Sequence, residues 1–188
     1  SSECGSGFAK VMEYTQRLSI IVILPVATAI MFCVDLILSL YGPGFQKGAP
    51  VLVNIVLGVA VAGIGGVMGA AITAKGKMWF GVLLNLTWGV VLLSVVAVGA
   101  KAYGAKAFAI GFMLAYIILT TWSFIYLRKD LPRGMTARTF RVGGVLAGLT
   151  ALCLISGPSV RPLIAIVIVP ASVWLAWRLA GLANEADD

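Results

Sequence analysis

The 26 residues APVLVNIVLGVAVAGIGGVMGAAITA, positions 49–74, contain no charged side chain. As an α-helix they would reach about 39 Å at 1.5 Å per residue, more than the ~30 Å of a bilayer's hydrocarbon core. The run lacks the two-residue alternation of a lipid-facing strand, which argues against a β-barrel. The stretch therefore predicts a membrane-spanning helix.

Working outward, five more runs have the same character: 18–41, 78–100, 107–127, 142–156 and 162–180. The turn Ser156-Gly157-Pro158-Ser159 separates the last two. The whole chain agrees, with 188 residues, 61% apolar and 11% charged, and a mean hydropathy of +1.04. Globular domains run nearer ~45–50% apolar and ~25% charged, and a disordered chain would need the opposite balance. The fold class expected is an all-α integral membrane protein of about six transmembrane helices.

Fourteen Lys and Arg against seven Asp and Glu give a net charge of +7. The cations fall between the apolar runs, so the membrane surface explains them and nucleic acid is not an expected partner. Lys10, Arg17, Lys75, Lys77, Arg128, Lys129, Arg133, Arg138, Arg141 and Arg178 share one side. Lys47, Lys101, Lys106 and Arg161 share the other; ten and four make the fourteen. The positive-inside rule then places both termini in the cytoplasm of a multi-pass inner-membrane protein.

The expected organisation is an interfacial amphipathic segment at 1–17, four spans within 18–127, a basic cytoplasmic loop at 128–141, a final hairpin at 142–180 and an acidic cytoplasmic tail at 181–188. In the first segment Phe8, Val11, Met12, Thr15 and Leu18 recur at helical spacing, with Lys10, Glu13 and Arg17 elsewhere, as on a helix lying in the leaflet surface. The chain begins at Ser1 with a stretch unlike a signal peptide, so a processed product or part of a longer chain is expected.

The three cysteines, Cys4, Cys33 and Cys153, form no disulfide framework or CxxC site, and there is no histidine. HExxH, GxSxG and P-loop motifs are missing and the acids are scattered, so neither an enzyme nor a metal site nor a cofactor is expected.

Few polar residues lie within the spans. Asp35 is the one acid, aligned with Thr28, Phe32 and Ser39. A carboxylate within a span needs protein, water or a cation beside it. Two readings follow: a cavity-lining acid for proton or cation coupling, or an interfacial acid paired with Lys47, Lys101 or Arg161. Asn54, Gly58, Val61, Gly65 and Gly69 share a face of the second span, Gly81, Asn85 and Gly89 a face of the third, and Tyr116, Thr120 and Ser123 one of the fourth. The fifth carries Gly144 and Gly148. The glycines, with two GxxxG motifs among them, predict close helix packing, while Asp35, Thr28, Asn54, Asn85 and Tyr116 are the candidate substrate or ion-cavity residues. Pro25 and Pro170 are candidate kinks.

A further pattern runs from about residue 8 to 127. It comprises Pro25, then Tyr41-Gly42-Pro43-Gly44-Phe45, Ala49, Ala74-Lys75-Gly76-Lys77, Asn85 and Tyr103-Gly104-Ala105-Lys106-Ala107. In order, spacing and sidedness it resembles the C-terminal half of the polysaccharide-biosynthesis membrane proteins, the lipid-linked oligosaccharide flippases of the multidrug/oligosaccharidyl-lipid/polysaccharide exporter superfamily. Those have twelve to fourteen helices in two lobes, and this chain looks like the last six. The resemblance implies one lobe of a larger transporter-like bundle. Its cargo would be a lipid-linked oligosaccharide or polysaccharide precursor, moved by alternating access. Membrane lipids and a missing N-terminal lobe or another membrane subunit would be its partners. The alternatives are a drug/cation antiporter of the same superfamily and a non-transporting membrane scaffold or assembly subunit.

Overall fold

The computed structural model describes residues 2–132 and 134–180. Arg133 and the acidic tail expected at 181–188 lie outside the described residues. The described residues form helices joined by short turns, with no strand among them: α1 Ser2–Phe32, α2 Val34–Ser39, a 3-10 segment Pro43–Gly48, α3 Ala49–Ala74, α4 Met78–Tyr103, α5 Ala105–Leu127, α6 Met135–Ile155 and α7 Arg161–Ala180. Six of these helical stretches are long and apolar enough to cross a membrane. The protein is an all-α, multi-pass membrane protein.

Helix α3 is the hub, packing against α1, α5 and α6. Helix α4 rests chiefly on α5, and α7 on α1. Two apolar clusters run through the bundle. One joins α1, α3, α6 and α7 through residues such as Leu24, Met31, Val53, Leu57 and Leu146. The other, at the basic end, joins Met12, Met68, Ile72, Phe124, Leu127 and Met135.

In lipid, burying apolar surface brings helices together only weakly, so close backbone approach matters more. Two turns apart on α3, Gly58 and Gly65 meet α5. A Cβ at Gly58 would stand 2.8 Å from the Phe112 ring, and one at Gly65 2.6 Å from Thr120 Oγ1. Gly69, Gly81, Gly89, Gly144 and Gly148 have nothing within 4 Å of where a Cβ would stand. Among the described residues neither GxxxG motif packs through both of its glycines, Gly65 alone making contact; the working spacing is seven residues, from Gly58 to Gly65. The α1–α7 contact uses a stripe of small buried residues that the sequence reading did not single out: Ala165, Ser172, Ala176 and Ala180.

Three expected boundaries move. Residues 1–17 form no separate interfacial helix, because α1 runs unbroken from Ser2 to Phe32. Its buried face is Met12, Gln16, Ile20 and Leu24, while Val11, Thr15 and Leu18 are exposed. The face is rotated from the apolar one because Glu13 and Gln16 find partners on α6, as described below. Next, α6 starts at Met135, so half of the basic loop expected at 128–141 is helical; Met135 and Val142 are buried on the bundle side of that extension. Finally, the first span is interrupted at Cys33 and not at Pro25, which lies inside continuous helix. The turn from α3 to α4 follows its sequence closely. Gly76 adopts φ 69°, and the N–H groups of Gly76 and Lys77 donate to the carbonyls of Thr73 and Ile72. This is a Schellman ending, which favours glycine at that position.

Candidate functional site

The break at Cys33 places Asp35 in the first turn of α2. Of its three candidate cations, Arg161 is the partner. Arg161 Nη1 donates to both carboxylate oxygens of Asp35, at 3.1 and 2.9 Å. The Arg161 side chain is only 8% exposed, and its Nε donates to the Cys153 carbonyl at 2.9 Å. Cys153 in turn donates through Sγ to the carbonyl of Met31 at 3.0 Å. The last carbonyls of a helix have no partner within it, so the thiol serves the end of α1 that the Cys33 break creates. Thr150 Oγ1 donates to Leu146 O at 2.8 Å and lies 3.7 Å from Met31 Sδ. One polar network thus ties α1, α2, α6 and α7 together at the end of the bundle away from most of the basic residues.

A buried guanidinium is costly to desolvate and is tolerated when its charge and donors are matched. Here a carboxylate and a backbone carbonyl do that. The sequence reading named Arg161 among three candidates and did not foresee Cys153, because a thiol that bonds a helix-end carbonyl has no signature apart from that of a small apolar residue.

The other candidate cavity residues are dispersed. Thr28 is buried on α1 and bonds Leu24 O at 2.7 Å. Asn54, half-buried near the start of α3, bonds Pro50 O at 2.7 Å. Asn85 is exposed on α4 and bonds Gly81 O at 2.9 Å. Each uses a carbonyl one turn back on its own helix. Tyr116 stands in an aromatic cluster between α4 and α5, 5.5 Å from Trp88 and 4.9 Å from Phe112 by ring centroids. Among the described residues, Trp88 Nε1 in this cluster and Thr120 Oγ1 on the α3–α5 seam are buried with no hydrogen-bond partner.

At the basic end Glu13 accepts from Arg17 at 3.1 Å and from Arg138 at 3.2 Å, and Gln16 Nε2 donates to Thr139 Oγ1. Lys75 pairs with Asp130, linking the α3–α4 turn to the segment before α6. The Glu13–Arg138 and Gln16–Thr139 contacts are not legible in sequence, since they join residues over a hundred positions apart, and Lys75 and Asp130 are separated by a whole helix pair. An apolar groove of 410 Å³ between α1 and α3 is lined by Val22, Val26, Leu52, Val59 and Gly63, and none of the five candidate cavity residues is part of it. Searches against family models, curated proteins and solved structures find no match to this chain.

Proposed function

We propose that the chain is one lobe of an inner-membrane exporter that carries a lipid-linked saccharide precursor across the bilayer by alternating access, with its basic end in the cytoplasm. In this reading it is a carrier and not an enzyme. The observation that carries the proposal is the uncovered polar face of α4. Along its 26 residues only Leu84 is buried; Asn85 is exposed, and Gly81 and Gly89, one turn to either side, are half-buried with no described atom within 4 Å of where a Cβ would stand. Hydrocarbon is a poor neighbour for an exposed carboxamide. A polar cavity faced by an opposing lobe is a good one, and the two-lobed architecture of the resembled flippases would supply it.

The test has two parts. A cysteine at position 85 should react with a membrane-impermeant maleimide in intact membranes, whereas one at the exposed neighbour Leu86 should not. Depleting the protein from its source cells should strand lipid-linked precursor in the inner leaflet. Undiminished surface saccharide under depletion would sink the transport reading, and an unreactive cysteine 85 would sink the cavity.

The scaffold reading draws on a different observation, the open glycines Gly144 and Gly148 on α6, which could receive a partner helix. Bulky substitutions there would then abolish co-purification of that partner and leave precursor movement intact. The antiporter reading needs an acid free to exchange a cation, and Asp35 has both oxygens engaged by Arg161.

A further inference from the structure

At the basic end, the first turns of α6 and the last turns of α7 leave a groove of 560 Å³ between them, within the ~300–1,000 Å³ typical of small-ligand sites. Arg138, Arg141 and Arg178 line it together with Ala137, Leu175 and Leu179. No carboxylate is among its described lining residues. The nearest ion pair does not neutralise it, because Glu13 is shared between Arg17 and Arg138. Among the described residues, Arg138 Nη1 is also buried without a hydrogen-bond partner. Arg178 lies over the Trp174 ring at 5.3 Å, a contact that orients a guanidinium and leaves its charge in place. The N-terminal end of α6 adds the positive end of a 21-residue helix dipole.

We propose that this groove binds a phosphate group at the membrane surface, that of an anionic phospholipid headgroup. Guanidinium groups match phosphate oxygens with paired, charge-assisted hydrogen bonds. Leu175 and Leu179 offer apolar surface where the glyceride would continue from the phosphate. Trp174 and Trp177, exposed near the end of α7, are the residues expected at headgroup depth. The site does not depend on the transport reading, and it is distinct from the α4 face.

The test uses the full chain in nanodiscs of phosphatidylcholine doped with phosphatidylglycerol, reading retained lipid by native mass spectrometry. The pair Arg141→Gln/Arg178→Gln removes two of the three guanidinium groups that would hold the phosphate and should lower retained phosphatidylglycerol at least about tenfold. A control pair of equal charge loss outside the groove, Arg128→Gln/Lys129→Gln, loses only diffuse attraction to the anionic surface and should lower retention several-fold less than the groove pair. Ala137→Phe fills the groove with all three arginines kept, so it tests the site even if the charge variant does not fold; it too should lose the lipid. In a parallel arm, inorganic phosphate is added to protein in pure phosphatidylcholine. Stabilisation there that Ala137→Phe removes, without retention of phosphatidylglycerol, would assign the same site to a soluble phosphate. Equal losses in the groove and control pairs would overturn the proposal, as would lipid retention unchanged by Ala137→Phe or no response to either phosphate source.

Discussion

Asp35 and Arg161 are worth most as a pair. Removing one partner of a buried ion pair leaves the other uncompensated, at a typical cost of about 3–5 kcal/mol. Asp35→Asn should therefore lower the unfolding temperature in detergent sharply, since Arg161 is 8% exposed. The double change Asp35→Asn/Arg161→Leu should cost less than the sum of the single changes. Additive losses would show that the two side chains act independently. A second contrast lies on α3. Gly65→Val would drive a side chain into Thr120 and should destabilise by about 1–3 kcal/mol. Gly69→Val, facing open space, should stay within about 0.5 kcal/mol. Equal effects on melting would remove the α3–α5 seam as described. At this scale the sequence announced which residues were unusual but not what they touched. It offered Asp35 three cations because sidedness cannot separate Lys47, Lys101 and Arg161; only the fold brings Arg161 back from the start of the last helix.

Among the elements, those defined by local chemistry were legible. The 49–74 run is α3 from end to end, since an uncharged helix bounded by glycine turns leaves little choice of limits. The Gly76 turn was similarly marked. Elements whose limits depend on tertiary pairing were not. Apolar length alone cannot show that α6 reaches back to Met135, because its first two turns are polar and extend beyond the apolar run. The same blindness turned the N-terminal segment by its apolar residues, when Glu13 and Gln16 set which face packs. Glycine spacing also misled in part: four-residue repeats are visible in a string, but whether a helix lies opposite them is not.

For the whole molecule, the helical membrane class followed from composition and run length, and the structure agrees. The arrangement of the helices did not follow, since uncharged helices in lipid carry few signals about which neighbour they prefer. The contrast between a central α3 and a peripheral α4 should appear in hydrogen exchange. If α4 borders water, its amides near Asn85 should exchange faster than those of α3 near Gly65, which are covered on several sides. Peptide-resolved exchange by mass spectrometry in nanodiscs reads this directly. Equal protection of the two would argue that α4 is sealed by lipid or by a partner helix.

The Asp35–Arg161 contact also has a consequence for biosynthesis. The two residues are 126 positions apart in the chain. At a synthesis rate of about 5–20 residues per second, Asp35 emerges roughly 6–25 s ahead of its cation. Throughout that interval the nascent chain carries an acid without its counter-ion, and α1 ends at a carbonyl that Cys153 does not yet cover. A ribosome that stalls before α7 leaves that defect permanent, so the arrival of the seventh helix is registered as a neutralised charge on the second.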